Sequence, residues 1–319
     1  MTGPTPFYVG PLLVGVAAIL WGTVGIASKT LYGLDSISPL ALGFFRLAIS
    51  VPLLLVWRWR AFDKWPFGFH GRDAVILVSI GVAMAAYQIC YFQAVAEIGV
   101  VLTTFVTICS APVLIASLSI IVLGERLTGP IAIALCLGLA GTALLIDIRG
   151  NRLVAANATG IAWAAGSALA YSLFVLLSRA LARHDPAKII VLAFGMGALA
   201  LLPFAASAGL ALDWSASAWG LVFYIGLIPT AAAYMLYFRG MRDTRAMSAG
   251  IIALLEPLTA TVLALVLFDE RVSNSGVAGI GLLIVAMLIL VVMRFKQPAP
   301  VREAPPAAAK TPTQSIEQR

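Results

Sequence analysis

Glu256 stands in the run ALLEPLTATVLALVLFDER, residues 253–271, directly before Pro257. An ionised carboxylate amid apolar residues costs roughly 2.5–3.5 kcal/mol at mid-membrane on insertion scales. It survives there by facing a wet cavity, finding a partner or keeping its proton. Pro257 has no N–H, so a helix through it leaves one carbonyl without its usual donor and tends to kink. Freed backbone groups need a cavity or neighbouring helices. The pair reads as a polar break aimed inward: a site for a substrate amine or a proton, or a packing acid that fixes the bend.

Arg46 lies about two turns into another apolar run and cannot shed its charge in a protein. It needs a carboxylate, backbone carbonyls or a water path. Aromatic residues form the third group. Trp21 falls at the centre of its run, where an interfacial belt does not account for it. Tyr87 and Tyr91 share one helical face, with Gln88 beside them. Trp163 and Tyr171 fall in one later run and Tyr234 in the next but one. A cavity walled by such rings suits a flat, partly apolar ligand or a cation held over a ring face. The candidate substrate contacts are therefore Trp21, Tyr87, Gln88, Tyr91, Trp163, Tyr171, Tyr234 and Glu256, with Pro112 and Pro257 as helix-break positions.

The elements that must position these residues follow from composition. Hydrophobic residues make up 61% of the 319 and charged residues 11%, against about 45–50% and about 25% in soluble domains. Mean hydropathy is +1.00. The chain reads as an all-α integral membrane protein. Ten apolar runs are each long enough for a transmembrane helix, at roughly 11–31, 39–57, 73–95, 100–123, 129–147, 158–180, 187–209, 217–238, 247–267 and 275–294. Residues 297–319 are rich in Pro and Ala and lack periodicity, so a disordered cytoplasmic tail is expected. With the N-terminus in the cytoplasm, thirteen Lys and Arg flank the spans inside and four outside. The positive-inside rule then puts both termini in the cytoplasm.

The run SAPVLIASLSIIVLGERLT, from Ser110, matches LEPLTATVLALVLFDERVS, from Leu255. Pro112 aligns with Pro257, and Glu125-Arg126 with Glu270-Arg271, at one offset of 145. YFQAVAE at 91–97 matches YFRGMRD at 237–243, and Ser28-Lys29 matches Ser178-Arg179. Two halves follow, 1–150 and 151–296, with five spans each. Because five is odd, the second half enters the membrane from the opposite face. The result is an inverted repeat around a central cavity, an architecture of secondary carriers. The Glu-Arg pairs at helix ends are expected to act as caps and ion pairs holding their own hairpins.

These paired motifs, with FFRLAIS at 44–50, resemble the EamA-type carriers of the drug/metabolite transporter superfamily over residues 11–294. Within it, the chain is most similar to bacterial YddG-type exporters. The resemblance implies a multi-pass inner-membrane secondary transporter that exports small organic metabolites, first of all aromatic and other apolar amino acids, by alternating access. The alternative cargo is cationic drugs and dyes, which would suit Glu256 among rings; a membrane receptor is a more distant reading.

The basic residues form no stripe for nucleic acid. Cys90, Cys109 and Cys136 form no CxxC pair, and His70 and His184 fall in connections, so no metal site is expected. No P-loop, activated nucleophile or cofactor motif is present, so the chain is not expected to be an enzyme. Its partners are expected to be a small-molecule substrate and membrane lipid, in a monomer or weak homodimer.

Overall fold

The computed structural model describes residues 9–58, 69–146, 158–210, 212–268 and 274–296. The expected tail, Glu270 and Arg271 lie outside them. The described residues are helical and contain no strand. The helices are α1 (Val9–Leu34), α2 (Pro39–Arg58), α3 (Arg72–Leu123), α4 (Gly129–Ile146), α5 (Ala158–Ala180) and α6 (Pro186–Ser207). After these come α7 (Ala216–Gly226), a π-helical turn (Leu227–Ala232), α8 (Ala233–Gly240), α9 (Ala246–Ile252), α10 (Leu255–Phe268) and α11 (Asn274–Lys296).

Nine of these segments are long and apolar enough to cross a membrane. α3 supplies two of them, Arg72–Gly99 and Leu102–Leu123. The chain turns between these limbs at Gly99, whose φ of 79° falls in the region that favours glycine. α7, the π turn and α8 together make one span, and α9 with α10 another. The expected span 129–147 is α4, whose apolar stretch Gly129–Leu144 is shorter than the other nine. Large apolar side chains such as Ile121 and Leu199 are more than 70% exposed. In a membrane these faces meet lipid, where a soluble helix would show charge.

α3 packs along α5, α4 along α11 and α2 along α6; α1 packs against α8 and α10. The core between them is rich in small and aromatic residues, with Tyr237, Phe174, Phe194 and Phe238 among its largest fully buried side chains. Close packing, rather than hydrophobic exclusion of water, joins helices in lipid. α1 shows it: a Cβ on Gly22 would lie 2.6 Å from Thr259 Cβ.

Two sequence expectations change. Pro257 does not kink a continuous helix. The span breaks just before it, at Ala253–Leu254, where Leu254 N–H turns back to Ile251 O at 3.0 Å and Glu256 N–H to Ala253 O at 2.9 Å. Pro257 thus falls in the first turn of α10, where a missing N–H costs little. Its counterpart Pro112 lies inside a helix that continues through it. Glu125 likewise does not hold its own hairpin: its two oxygens accept from Ala246 N at 2.9 Å and Met247 N at 3.1 Å. It caps α9, whose N-cap residue Arg245 makes no side-chain capping bond.

Candidate functional site

The break before Glu256 opens onto a cavity of about 630 Å³. α1 contributes Trp21, α2 contributes Arg46, and the first limb of α3 contributes Tyr87, Gln88 and Tyr91. Tyr171 comes from α5, Tyr234 from α8, and Glu256 with Pro257 from α10. Seven of the eight expected contacts thus meet at one cavity formed by both sequence halves. Trp163 does not join them: it is 38% exposed on the outer face of α5.

The rings form a continuous wall. Trp21 and Tyr234 have centroids 4.9 Å apart, and Tyr87 and Tyr171 5.6 Å. Tyr237 lies 5.3 Å from Trp21 and stacks on Phe174 at 6.0 Å. Tyr237, Phe174 and Phe238 are buried and pack against this wall. Gln88 has a supporting role: its amide donates to Gly43 O at 3.3 Å and ties α3 to α2.

A smaller recess of about 80 Å³ lies behind Glu256, between Pro112 and the Ala253–Leu254 break. It offers the hydroxyls of Thr104, Thr107 and Tyr91, and the Tyr91 and Thr104 oxygens are 2.8 Å apart. A water needs only roughly 10–15 Å³ of such space, so the recess has room for water beside the Glu256 carboxyl.

Arg46 is the functional candidate that the ring and acid pattern left outside the expected set. Its Nε donates to Thr230 Oγ1 at 3.3 Å, in the π turn. Among the described residues no ion pair joins Arg46 to Glu256, although both line the cavity. One acid and one base therefore face the same volume without a direct ion pair.

The two ends of this cavity differ. At one end Gly25, Lys29 and Tyr32 of α1 and Val95 of α3 line it, and Gly25, Lys29 and Tyr32 are exposed. That end is its mouth. Toward the opposite end of α1, the ends of α5 and α8 are clasped together. Arg179, one residue before the end of α5, donates to the carbonyls of Met241 and Arg242, the second at 2.8 Å. Arg242 returns the contact, from Nε to Ala182 O at 2.9 Å and from its Nη2 to His184 O at 2.8 Å. Beside this clasp, α1 and α8 touch backbone to backbone: a Cβ on Gly240 would lie 2.6 Å from Gly10 O. From Gly10 to Lys29 α1 rises about 28 Å at 1.5 Å per residue, close to the ~30 Å hydrocarbon thickness. Mouth and clasp thus sit at opposite faces of one membrane.

The sequence profile of the EamA-like transporter family matches this chain twice, over residues 9–147 and 158–292. The chain belongs to the EamA-like transporter family. It is 33% identical over 293 residues to the uncharacterized transporter YwfM of Bacillus subtilis, covering 90% of this chain and 95% of that one. It is 25% identical to the uncharacterized inner membrane transporter YicL of Salmonella typhimurium, covering 88% and 94%. A solved crystal structure superposes with a TM-score of 0.76 at 20% identity, over 90% of this chain and 98% of that one. The protein is a multi-pass membrane transporter, and a small-molecule substrate follows from its family.

Proposed function

We propose that this EamA-like transporter exports amino acids with aromatic or other apolar side chains across the inner membrane by alternating access. The observation that carries the reading is the acid and the base that face one cavity without a direct ion pair. Arg46 suits a substrate carboxylate, Glu256 suits its ammonium group, and the rings of Trp21, Tyr87, Tyr91, Tyr171 and Tyr234 suit its side chain. A simple cation fits less well, because Arg46 and Lys29 line the same volume.

Alternating access rests on two five-span halves, 1–150 and 151–296, mounted in opposite directions, with α4 as the fifth span and α11 as the tenth. The double family match supports it. Helix packing supports it too. Exchanging the halves turns the α3–α5 contact into that of α1 with α8 and α10, and returns α2–α6 and α4–α11 to themselves. The positive-inside count supports both termini in the cytoplasm, with the clasp inside and the mouth outside.

The test is counterflow into proteoliposomes with a panel of labelled amino acids, amines lacking the carboxylate, and cationic dyes. Saturable exchange of aromatic zwitterions is the expected outcome. Exchange of the dyes with none of any amino acid would overturn the substrate assignment and favour the multidrug reading.

A further inference from the structure

Contacts between the halves sort into those with a mirror image and those without one. His184, in the connection from α5 to α6, meets Asp73 in the first turn of α3 at 3.0 Å. The mirrored place is the connection from α1 to α2. There Asp35 accepts from Ser215, the N-cap residue of α7, at 3.1 Å from its N–H and 2.7 Å from its hydroxyl. One such tie exists at each face, so both hold at once and neither blocks the cavity.

The arginine clasp is different. Under the repeat, Arg179 maps to Lys29, Met241 to Val95 and Arg242 to Ala96. At the clasped end the cation sits on the carbonyls that close α8. At the other end the matching residues, Lys29 and Val95, line the open mouth.

We infer that Arg179 and Arg242 form the inner gate of the transporter. Lys29, bonding the carbonyls of Val95 and Ala96, forms the outer gate that closes when the inner one releases. Cations on the last carbonyls of a helix gain from both the hydrogen bond and the helix dipole. The inner gate exchanges two guanidinium groups between two helix ends. The outer gate has one ammonium, because Arg242 is matched by Ala96. Arginine carries several donors in a fixed fork, whereas lysine is a single flexible point charge. This imbalance makes the outward-open state the resting one.

The inference rests on the inverted-repeat reading, and its test uses no substrate, so failure of the amino-acid assignment would leave it standing. In a variant lacking Cys90, Cys109 and Cys136, one reporter is Val14→Cys, fully buried where α1 meets Gly240. The other is Gly25→Cys, exposed at the mouth with open space around it. Labelling by a membrane-impermeant maleimide is timed in oriented vesicles. Adding Arg179→Gln with Arg242→Gln raises labelling of the Val14→Cys reporter from the inner face about tenfold, and slows labelling of the Gly25→Cys reporter. Adding Lys29→Gln to that pair returns both rates toward the parent. An unchanged Val14→Cys reporter, or both reporters speeding up together as in general loosening, would overturn the gate assignment.

Discussion

Arg46 Nε donates to Thr230 Oγ1 at 3.3 Å, and Thr230 Oγ1 donates to Ile225 O at 2.7 Å. The second bond spans five residues, the spacing of the π turn that carries Thr230. A local irregularity in one helix thus aims a hydroxyl at the guanidinium of another. Thr230→Val removes that anchor. A hydrogen bond to a charged group is worth about 1.5–3 kcal/mol, so counterflow of carboxylate-bearing substrates should fall about tenfold or more. Arg46→Lys should fall as well, because an ammonium lacks the Nε–H that meets Thr230.

The ring wall predicts a selective loss. Trp21 lies 4.9 Å from Tyr234 and 5.3 Å from Tyr237. Aromatic pairs add about 0.5–1.5 kcal/mol beyond their buried area. Trp21→Ala should raise KM for aromatic amino acids by about two- to tenfold and for alanine much less. Trp21→Phe should recover most of the difference. Equal losses for both substrates would mean that the ring supports the fold and does not read the side chain.

Close approach of α1 to α10 predicts a contrast between two glycines. A Cβ on Gly22 meets Thr259 Cβ at 2.6 Å and Glu256 O at 2.7 Å, whereas one on Gly25 meets nothing within 4 Å. Overpacking costs about 1–3 kcal/mol. Gly22→Val should lower the thermal midpoint in detergent by several degrees. Gly25→Val should leave it unchanged.

Glu125 predicts a stability effect carried across the halves. Glu125→Ala leaves Ala246 N–H and Met247 N–H without acceptors. Loss of a helix cap costs about 0.5–2 kcal/mol, so the midpoint should drop. Proteolysis or hydrogen exchange should locate the loosening in α9, far along the chain from the substitution.

Much of this arrangement is legible in the sequence, because a membrane punishes misplaced polarity. Glu256, Arg46 and Trp21 stand out as residues that lipid does not explain, and all three line the cavity. Trp163 shares a helix with Tyr171 but faces outward. The small and polar residues of α5, among them Ala164, Ser167, Ala168 and Ser172, mark its packed side, which the ring pattern alone does not show. The break at Ala253–Leu254 is hidden because Pro257 fits a helix start as well as a kink. Glu125 carries a hairpin-like signature, and only the three-dimensional packing brings α9 to its carboxylate. The arginine clasp is equally invisible in one dimension, since its acceptors are backbone carbonyls that any residue supplies.

On the proposed reading, Arg46 and Glu256 hold opposite ends of one substrate in the shared cavity. Equilibrium binding of a labelled aromatic amino acid to purified protein tests it most directly, with the parent beside Arg46→Gln and Glu256→Gln. The parent should bind saturably, and each change should raise Kd about tenfold or more. Binding of decarboxylated amine analogues should be unchanged by Arg46→Gln and weakened by Glu256→Gln. Parent-like binding of the amino acid by both variants would contradict this reading.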